Sequence, residues 1–134
     1  MSGTVDKLSL GMSPMTCLVV DDSAFMRFHL KRLIGELQNV TANEATSGAE
    51  AIAKYKLLKP DFVLMDIVMP GMEGVETVKK ICESDPSARV IMISSVDYKD
   101  MVDEAFEAGA KGFISKPVTI DMLKMTLERV LNVV

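Results

Sequence analysis

The sequence repeats one pattern five times: a short apolar run followed by a longer segment with helical periodicity. The apolar runs lie at residues 16–20, 40–45, 62–65, 89–93 and 112–115. The helical segments lie at about 24–37, 48–58, 74–83, 99–108 and 120–132. Strands that alternate with helices predict a parallel sheet covered by helices on both faces, with right-handed crossovers.

The composition of the runs indicates the order of the strands. Runs one, three and four are almost wholly apolar, which is typical of strands buried on both faces. The second run contains Asn43 and Glu44, and the short fifth run ends in Ser115, so these two fit the edges. An order of 2-1-3-4-5 satisfies both observations, and it opens a ligand crevice at the C-terminal ends of strands one and three. The predicted fold class is α/β: a doubly wound, five-stranded, flavodoxin-like parallel sheet.

Length and charge limit the remaining options. The 134 residues suit one domain, which we place at 15–134, after a flexible N-terminal extension at 1–14. The net charge of −4 argues against a nucleic-acid partner, which would need a basic surface. The chain lacks a secretory signal and any apolar run of about 20 residues, so we expect no membrane partner. Two cysteines without paired spacing fit a cytoplasmic protein.

Three aspartates are expected to meet in the predicted crevice. Asp21 and Asp22 follow the first strand in "CLVVDDSAF", and Asp66 follows the third in "FVLMDIVMP". Like charges in so small a volume repel each other, so either some are protonated or a cation offsets them. Oxygen ligands without His or Cys favour a hard cation, Mg²⁺ before Mn²⁺ or Ca²⁺. The alternative is a helix cap, for which Asp22 and Ser23 are both candidates.

Two further polar residues follow the remaining strands. Ser94 comes after the fourth strand and Lys116 after the fifth. An ammonium, a hydroxyl and a metal around a carboxylate suit a phosphoryl group, and a carboxylate can itself be the nucleophile that forms an aspartyl phosphate. Taken singly, Asp66 could be a turn residue and Lys116 a solvated loop lysine, but the joint pattern is hard to obtain by chance.

Four motifs resemble those of the receiver domains of two-component response regulators: "LVVDDSAFMR", "VLMDIVMPGMEG", "VIMISS" and "AGAKGFISKP". The resemblance covers nearly the whole chain from residue 16, and "DDSAFMR" is most similar to the CheY-like receivers of the chemotaxis branch. That family is known for the 2-1-3-4-5 strand order, so the order given above is not independent of the resemblance.

The resemblance implies a role for each acidic residue. Asp66 would accept the phosphoryl group from the phosphohistidine of a sensor histidine kinase. Asp22, Asp66 and the main-chain carbonyl of Val68 would bind Mg²⁺, or Mn²⁺ in its place, and Asp21 would act on the metal through water. The protein would catalyse only its own phosphorylation and dephosphorylation.

The resemblance also implies the residues that sense the phosphoryl group. Lys116 would pair with it, and the Lys116–Pro117 peptide bond would be cis. Ser94 would move toward it and Phe113 would move in concert, which would alter the surface of the fourth helix, the fifth strand and the fifth helix.

This chain departs from the family pattern at four positions. Ser94 stands where Thr is frequent, and Phe113 where CheY proteins often have Tyr. Val68 and Val96 are apolar at positions where polar residues can help to place the attacking water. We therefore expect slow self-dephosphorylation, with a phosphatase as a further partner.

The route of the signal is also an expectation. We expect no output domain after the last helix, so the signal would pass by contact with a downstream protein, with a flagellar motor switch component as the leading candidate. The alternative is a receiver excised from a larger transcription factor or enzyme.

Three other classes share part of the pattern. A Mg²⁺-dependent aspartyl-phosphate phosphatase of the haloacid dehalogenase type needs a second Asp at the position of Val68. A flavodoxin-like electron carrier needs a Ser/Thr-rich loop after the first strand, where this chain is acidic. A degenerate receiver that signals without phosphate would usually lack some of the acids or the lysine.

Overall fold

The computed structural model describes residues 14–69 and 74–131. The strands are β1 (Met15–Val20), β2 (Val40–Ala45), β3 (Phe62–Asp66), β4 (Val90–Ser94) and β5 (Gly112–Ser115). The helices are α1 (Ala24–Ile34), α2 (Gly48–Leu58), α3 (Gly74–Ser84), α4 (Lys99–Ala108) and α5 (Ile120–Val130). A 3₁₀ turn at Val96–Tyr98 precedes α4. The predicted extension at 1–14 lies outside the described residues except for Pro14, as does Asn132.

All the strands are parallel and their order is β2-β1-β3-β4-β5, so the predicted fold class and strand order are confirmed. The sheet has two buried faces because helices cover both. One face packs against α2, α3 and α4, and the other against α1 and α5. Strands β3 and β4 are buried along their whole length, which explains why their sequences are apolar almost throughout.

The first helix is shorter than its periodicity predicts. It ends at Ile34 rather than at residue 37, and Gly35 follows as its C-cap. Beyond that point the chain forms tighter turns, in which the amide of Glu36 donates to the carbonyl of Leu33 and that of Leu37 to Ile34. Leu37 is nevertheless buried in the core on the α1 side, so the apolar pattern continues past the end of the helix.

The register of the sheet brings the carboxyl ends of its strands to one edge. The pairs nearest this edge are Val20 with Ala45, Val20 with Met65, Asp66 with Ile93, and Ser94 with Ser115. Asp66 and Ser94 were expected to follow their strands, but each is the last residue of its strand. The backbone of Asp66 and of Ser94 is therefore fixed by the sheet.

The start of α3 lies unusually close to the end of β3. A Cβ atom added at Gly74 would lie 2.7 Å from the Cα of Ile67, so only glycine fits there without a backbone shift. This close approach and the bond from the Gly74 amide to the Ile67 carbonyl hold the start of α3 against Ile67, the residue after Asp66. Within the described residues, no helix has the length and hydropathy needed to cross a bilayer.

Candidate functional site

Asp21 follows β1 directly and is 2% exposed. Its Oδ1 accepts a hydrogen bond of 2.9 Å from the amide of Ser23, whereas its buried Oδ2 has no hydrogen-bond partner. Ser23 is the N-cap of α1, since its hydroxyl accepts from the amide of Met26. Ser23, rather than Asp22, therefore caps the helix, and the two aspartates are free of that role.

Asp66 ends β3 and is 7% exposed. Its Oδ1 accepts from the amide of Val68 at 3.3 Å and lies 3.5 Å from the Nζ of Lys116. The backbone amide of Lys116 donates to the carbonyl of Ser94, so the end of β4 helps to hold the lysine in the site. The Lys116–Pro117 peptide bond is cis. Val68 itself is exposed beside the acidic residues.

The three aspartates form one cluster, which we call the acidic pocket: Asp21, Asp22 and Asp66. One carboxylate oxygen from each lies within 4.8 Å of the others. Two of the residues are buried and Asp22 is exposed, so the pocket opens to solvent on one side.

Burial raises the pKa of Asp21 to about 6, and the neighbouring charges of Asp66 and Asp22 add to that effect. The amide of Ser23 and the ammonium of Lys116 oppose it. Burial also raises the pKa of Asp66, although Lys116 and the Val68 amide offset part of the rise. The pocket therefore holds negative charge at a free-energy cost.

These features fit a hard divalent cation. The donors are oxygen atoms alone, which suits Mg²⁺ better than a transition metal that prefers nitrogen or sulfur. The Oδ2 of Asp21 is a buried acceptor without a partner, so a hydrated cation would satisfy it.

Ser94 lies at the carboxyl edge of the sheet, and Phe113 lies further back along β5. Ser94 is 1% exposed, and its hydroxyl donates to the carbonyl of Ser95 at 2.9 Å. Phe113 pairs with Met92 in the sheet, two positions before the pair at the carboxyl edge. Its half-buried ring lines a cavity of about 360 Å³ between α4 and β5. The other lining residues are Ser95, Lys99, Val102, Asp103 and Phe106.

Sequence reasoning missed Arg27, which supports the acidic pocket from α1. Its Nη1 donates to the main-chain carbonyl of Asp21 at 2.9 Å, and its Nε pairs with Glu44 of β2 at 2.8 Å. Lys31 binds the other carboxylate oxygen of Glu44. The signal in the sequence was the opposite charges of Arg27 and Glu44. They can be recognised as neighbours only when the strand order is known.

Sequence reasoning also left out two exposed aromatic residues on α1. Phe25 is 77% exposed and Phe28 is 63% exposed, in the helix that begins two residues after Asp22. The periodicity of α1 contained the signal, because the buried stripe at Leu30, Leu33 and Ile34 leaves both rings outside it.

Comparison with known proteins identifies the family. The model of the response regulator receiver domain matches residues 17–128. This chain is a response regulator receiver domain. It is 52% identical over 100 residues to the chemotaxis protein CheY of Thermotoga maritima, covering 75% of this chain and 83% of that protein. It is 43% identical to CheY of Bacillus subtilis over 115 residues, covering 86% and 96% of the two chains.

The fold of this receiver domain also matches solved structures. The chemotaxis protein CheY4 of Vibrio cholerae superposes with a TM-score of 0.81 at 28% identity, covering 88% of this chain and 99% of that one. The receiver is thus a signalling module with chemotaxis relatives. Family membership argues against the phosphatase and the electron carrier, and the complete set of acids and lysine argues against a degenerate receiver.

Proposed function

We propose that this receiver takes a phosphoryl group from a sensor histidine kinase onto Asp66, in a reaction that depends on Mg²⁺. The observation that carries the proposal is the surroundings of Asp66. Its carboxylate lies at the end of a central strand, in a cluster with two other carboxylates and 3.5 Å from an ammonium. A nucleophile, a cation site and a counter-charge for phosphoryl oxygens thus share one crevice.

The acidic pocket would hold the metal. Asp22, Asp66 and the main-chain carbonyl of Val68 would be its ligands, and Asp21 would contact it through water. Bound Mg²⁺ would supply positive charge that offsets both the carboxylates and the phosphoryl oxygens. Mn²⁺ has the same preference for oxygen and could replace it.

The transfer would exchange one phosphorus bond for another. A carboxylate oxygen of Asp66 would bond to phosphorus while the phosphorus–nitrogen bond of the phosphohistidine breaks, and the departing nitrogen would keep the electron pair. Lys116, which already lies 3.5 Å from Asp66, would pair with a phosphoryl oxygen.

The added charge would be sensed at β4 and β5. The hydroxyl of Ser94 would leave the Ser95 carbonyl and donate to the phosphoryl group instead. Phe113 would respond by moving within the cavity beside α4, whose volume leaves room for a shift of the ring. The surface formed by α4, β5 and α5 would then differ between the two states, which is a population shift set by local charge.

Two surfaces would bind partners. The exposed rings of Phe25 and Phe28 lie on α1, which begins two residues after Asp22, and suit contact with the phosphodonor domain of the kinase. The groove by Phe106 and Phe113 suits a downstream protein. The names of the CheY relatives support a role in chemotaxis. The target that we propose is a flagellar motor switch component, and the compartment that we propose is the cytoplasm.

The decisive experiment is incubation with acetyl phosphate and MgCl₂, followed by intact-mass analysis. We expect one added phosphoryl group in the wild type, none in Asp66→Asn and none with EDTA. Asp121→Asn, which changes an exposed aspartate on α5, is the matched control and should be phosphorylated normally. An unmodified wild type, or an Asp66→Asn variant that gains the same mass, would overturn the proposal.

The same samples test the lifetime of the phosphorylated form. Apolar Val68 and Val96 are unsuited to placing the attacking water, so we expect slow decay after the donor is removed, faster when a phosphatase is present. A half-life of a few seconds for the protein alone would contradict this. The alternative of a receiver from a larger regulator predicts phosphorylation but no binding to motor switch components, which a pull-down with BeF₃⁻-loaded protein would reveal.

A further inference from the structure

His29 of α1 forms a hydrogen bond to the segment that follows β5. Its Nε2 lies 3.0 Å from the main-chain oxygen of Val118, across 89 residues of chain. A carbonyl oxygen can only accept, so Nε2 must carry the hydrogen and donate it. The bond therefore requires the tautomer of His29 with hydrogen on Nε2, and His29 is the donor.

The segment from Lys116 to Thr119 is held at each end by the main chain or by a cap. The Lys116 amide donates to the carbonyl of Ser94, and the Thr119 hydroxyl caps α5 by accepting from the amide of Met122. Between them Pro117 has no amide hydrogen to donate. The bond from His29 to the carbonyl of Val118 therefore joins the middle of the segment to α1.

Packing makes this contact specific. The side chain of Val118 is buried in the core on the α1 and α5 side, in the same cluster as Leu30 and Leu33 of α1. The half-buried His29 lies on the helix that starts directly after Asp21 and Asp22. One helix therefore links the acidic pocket to the segment that carries Lys116.

We propose that His29 is a positioning residue for phosphoryl transfer: its hydrogen bond to the Val118 carbonyl holds the Lys116 segment against α1 and keeps the lysine opposite Asp66. The proposal rests on the proposed function of Asp66. His29 does not touch the reacting atoms, and it acts through the backbone of a segment whose lysine does. Small displacements of a charged group from the reacting centre have large effects on rate, which is why such a contact matters.

The test uses two substitutions and a control. His29→Leu removes the donor at similar volume, whereas His29→Gln keeps an amide donor that can reach the carbonyl. Arg32→Leu, an exposed position on the same helix, is the control. If His29→Leu fails to fold, His29→Asn takes its place, because its shorter amide does not span the gap.

The first measurement does not depend on phosphorylation. In the unmodified wild type, nitrogen NMR of the imidazole should show hydrogen on Nε2. The amide of Lys116 should exchange with solvent about three- to tenfold faster in His29→Leu than in the wild type, and at the wild-type rate in His29→Gln and Arg32→Leu. Unchanged exchange in His29→Leu, or hydrogen on Nδ1 alone, would overturn the proposal.

The second measurement is the maximal rate of phosphorylation by acetyl phosphate at saturating Mg²⁺. We expect a decrease of about three- to tenfold in His29→Leu, recovery to within about twofold in His29→Gln, and no change in Arg32→Leu. The affinity for Mg²⁺, measured by calorimetry, should be the same in all of them. A purely structural effect would not produce this division between rate and metal affinity.

The outcomes separate this proposal from the proposed function. If the wild type is not phosphorylated, the function of Asp66 fails and the role of His29 fails with it. If the wild type is phosphorylated and His29→Leu matches it, or His29→Gln is as slow as His29→Leu, only the role of His29 is overturned.

Discussion

The two sides of the crevice are held in different ways. The acidic pocket is preassembled: Asp21 and Asp66 are buried, each accepts a backbone amide, and Arg27 holds the carbonyl of Asp21. The opposite side consists of Ser94 and Lys116, which we call the responding residues. The Ser94 hydroxyl is engaged by the neighbouring Ser95 carbonyl, and Lys116 reaches Asp66 at 3.5 Å with its side chain partly in solvent.

This difference indicates a division of labour. Packing and backbone hydrogen bonds outweigh the repulsion among the aspartates, so the three carboxylates stay together in the pocket that we propose to bind the cation. The hydroxyl of Ser94 makes one hydrogen bond, to the neighbouring carbonyl, and the ammonium of Lys116 lies 3.5 Å from Asp66, so both can exchange these contacts for contacts with a phosphoryl group. Substitutions on the acidic side should therefore affect the chemistry, and substitutions on the responding side should affect the response.

The largest effect is expected for Asp22→Ala. The exposed Asp22 supplies one of the proposed metal ligands, and its loss removes charge that would hold the cation. We expect phosphorylation by acetyl phosphate at low-millimolar Mg²⁺ to slow by about a hundredfold, since electrostatic groups at a reacting centre contribute on that scale. Phosphorylation rates measured over a Mg²⁺ titration provide the test. A wild-type rate at every Mg²⁺ concentration would remove Asp22 from the metal site.

We expect Asp21→Asn to have an intermediate effect, which concerns the stability of the fold. The pKa of Asp21 in the folded protein is about 6, above the ordinary value of 3.8, so folding favours the protonated carboxyl. Its charged form therefore destabilises the fold fully above about pH 6, and this penalty disappears as the pH falls toward 3.8. At pH 7.5 without metal, Asp21→Asn should raise the free energy of unfolding by about 1 to 2 kcal/mol.

Urea denaturation in EDTA, repeated from pH 7.5 to pH 4.5, measures this difference. The gain should shrink as the pH is lowered through 6, and added Mg²⁺ should stabilise the wild type more than the variant. The control is Asp121→Asn, which should show neither trend. If Asp21→Asn at pH 7.5 is no more stable than the wild type, the charge of Asp21 does not destabilise the fold.

The smallest effect on the chemistry is expected for Ser94→Ala. It removes one hydroxyl from the responding side and leaves the acidic pocket intact, so the rate of phosphorylation should change less than about threefold. The response of the amides in α4 and β5 to BeF₃⁻ and Mg²⁺, followed by NMR chemical shifts, should be largely lost. If Ser94→Ala keeps the chemical-shift response but is phosphorylated much more slowly, Ser94 acts in the chemistry and not in the response, and the proposed division is wrong.

Much of the fold and of the site could be predicted from local patterns. Continuous apolar runs identify strands with two covered faces, and the order of the strands brings Asp21 to Asp66 because the carboxyl ends of parallel strands share an edge. Periodicity alone was wrong about the end of α1, since Leu37 stays buried after the helix has ended at Gly35. At that point a residue can stay buried in the core although the helix has already ended.

Other features depend on contacts between distant parts of the chain. Arg27 and Glu44 are 17 residues apart, and His29 and Val118 are 89 apart, so no local pattern pairs them. Taken singly, each of these residues is of a type that is common on a helix surface or at a strand edge. Their partners become visible only when the helices are packed on the sheet.

By itself the sequence determined the fold class, the strand order and the set of side chains that meet at the carboxyl edge, because strand and helix periodicity are local properties of the chain. Only the tertiary structure decided how those side chains are held: the buried Oδ2 of Asp21 without a partner, the bond from Arg27 to the carbonyl of Asp21, and the link from His29 to the Lys116 segment. Hydrogen bonds and burial depend on directions and distances between elements, and the packing of the whole domain sets these.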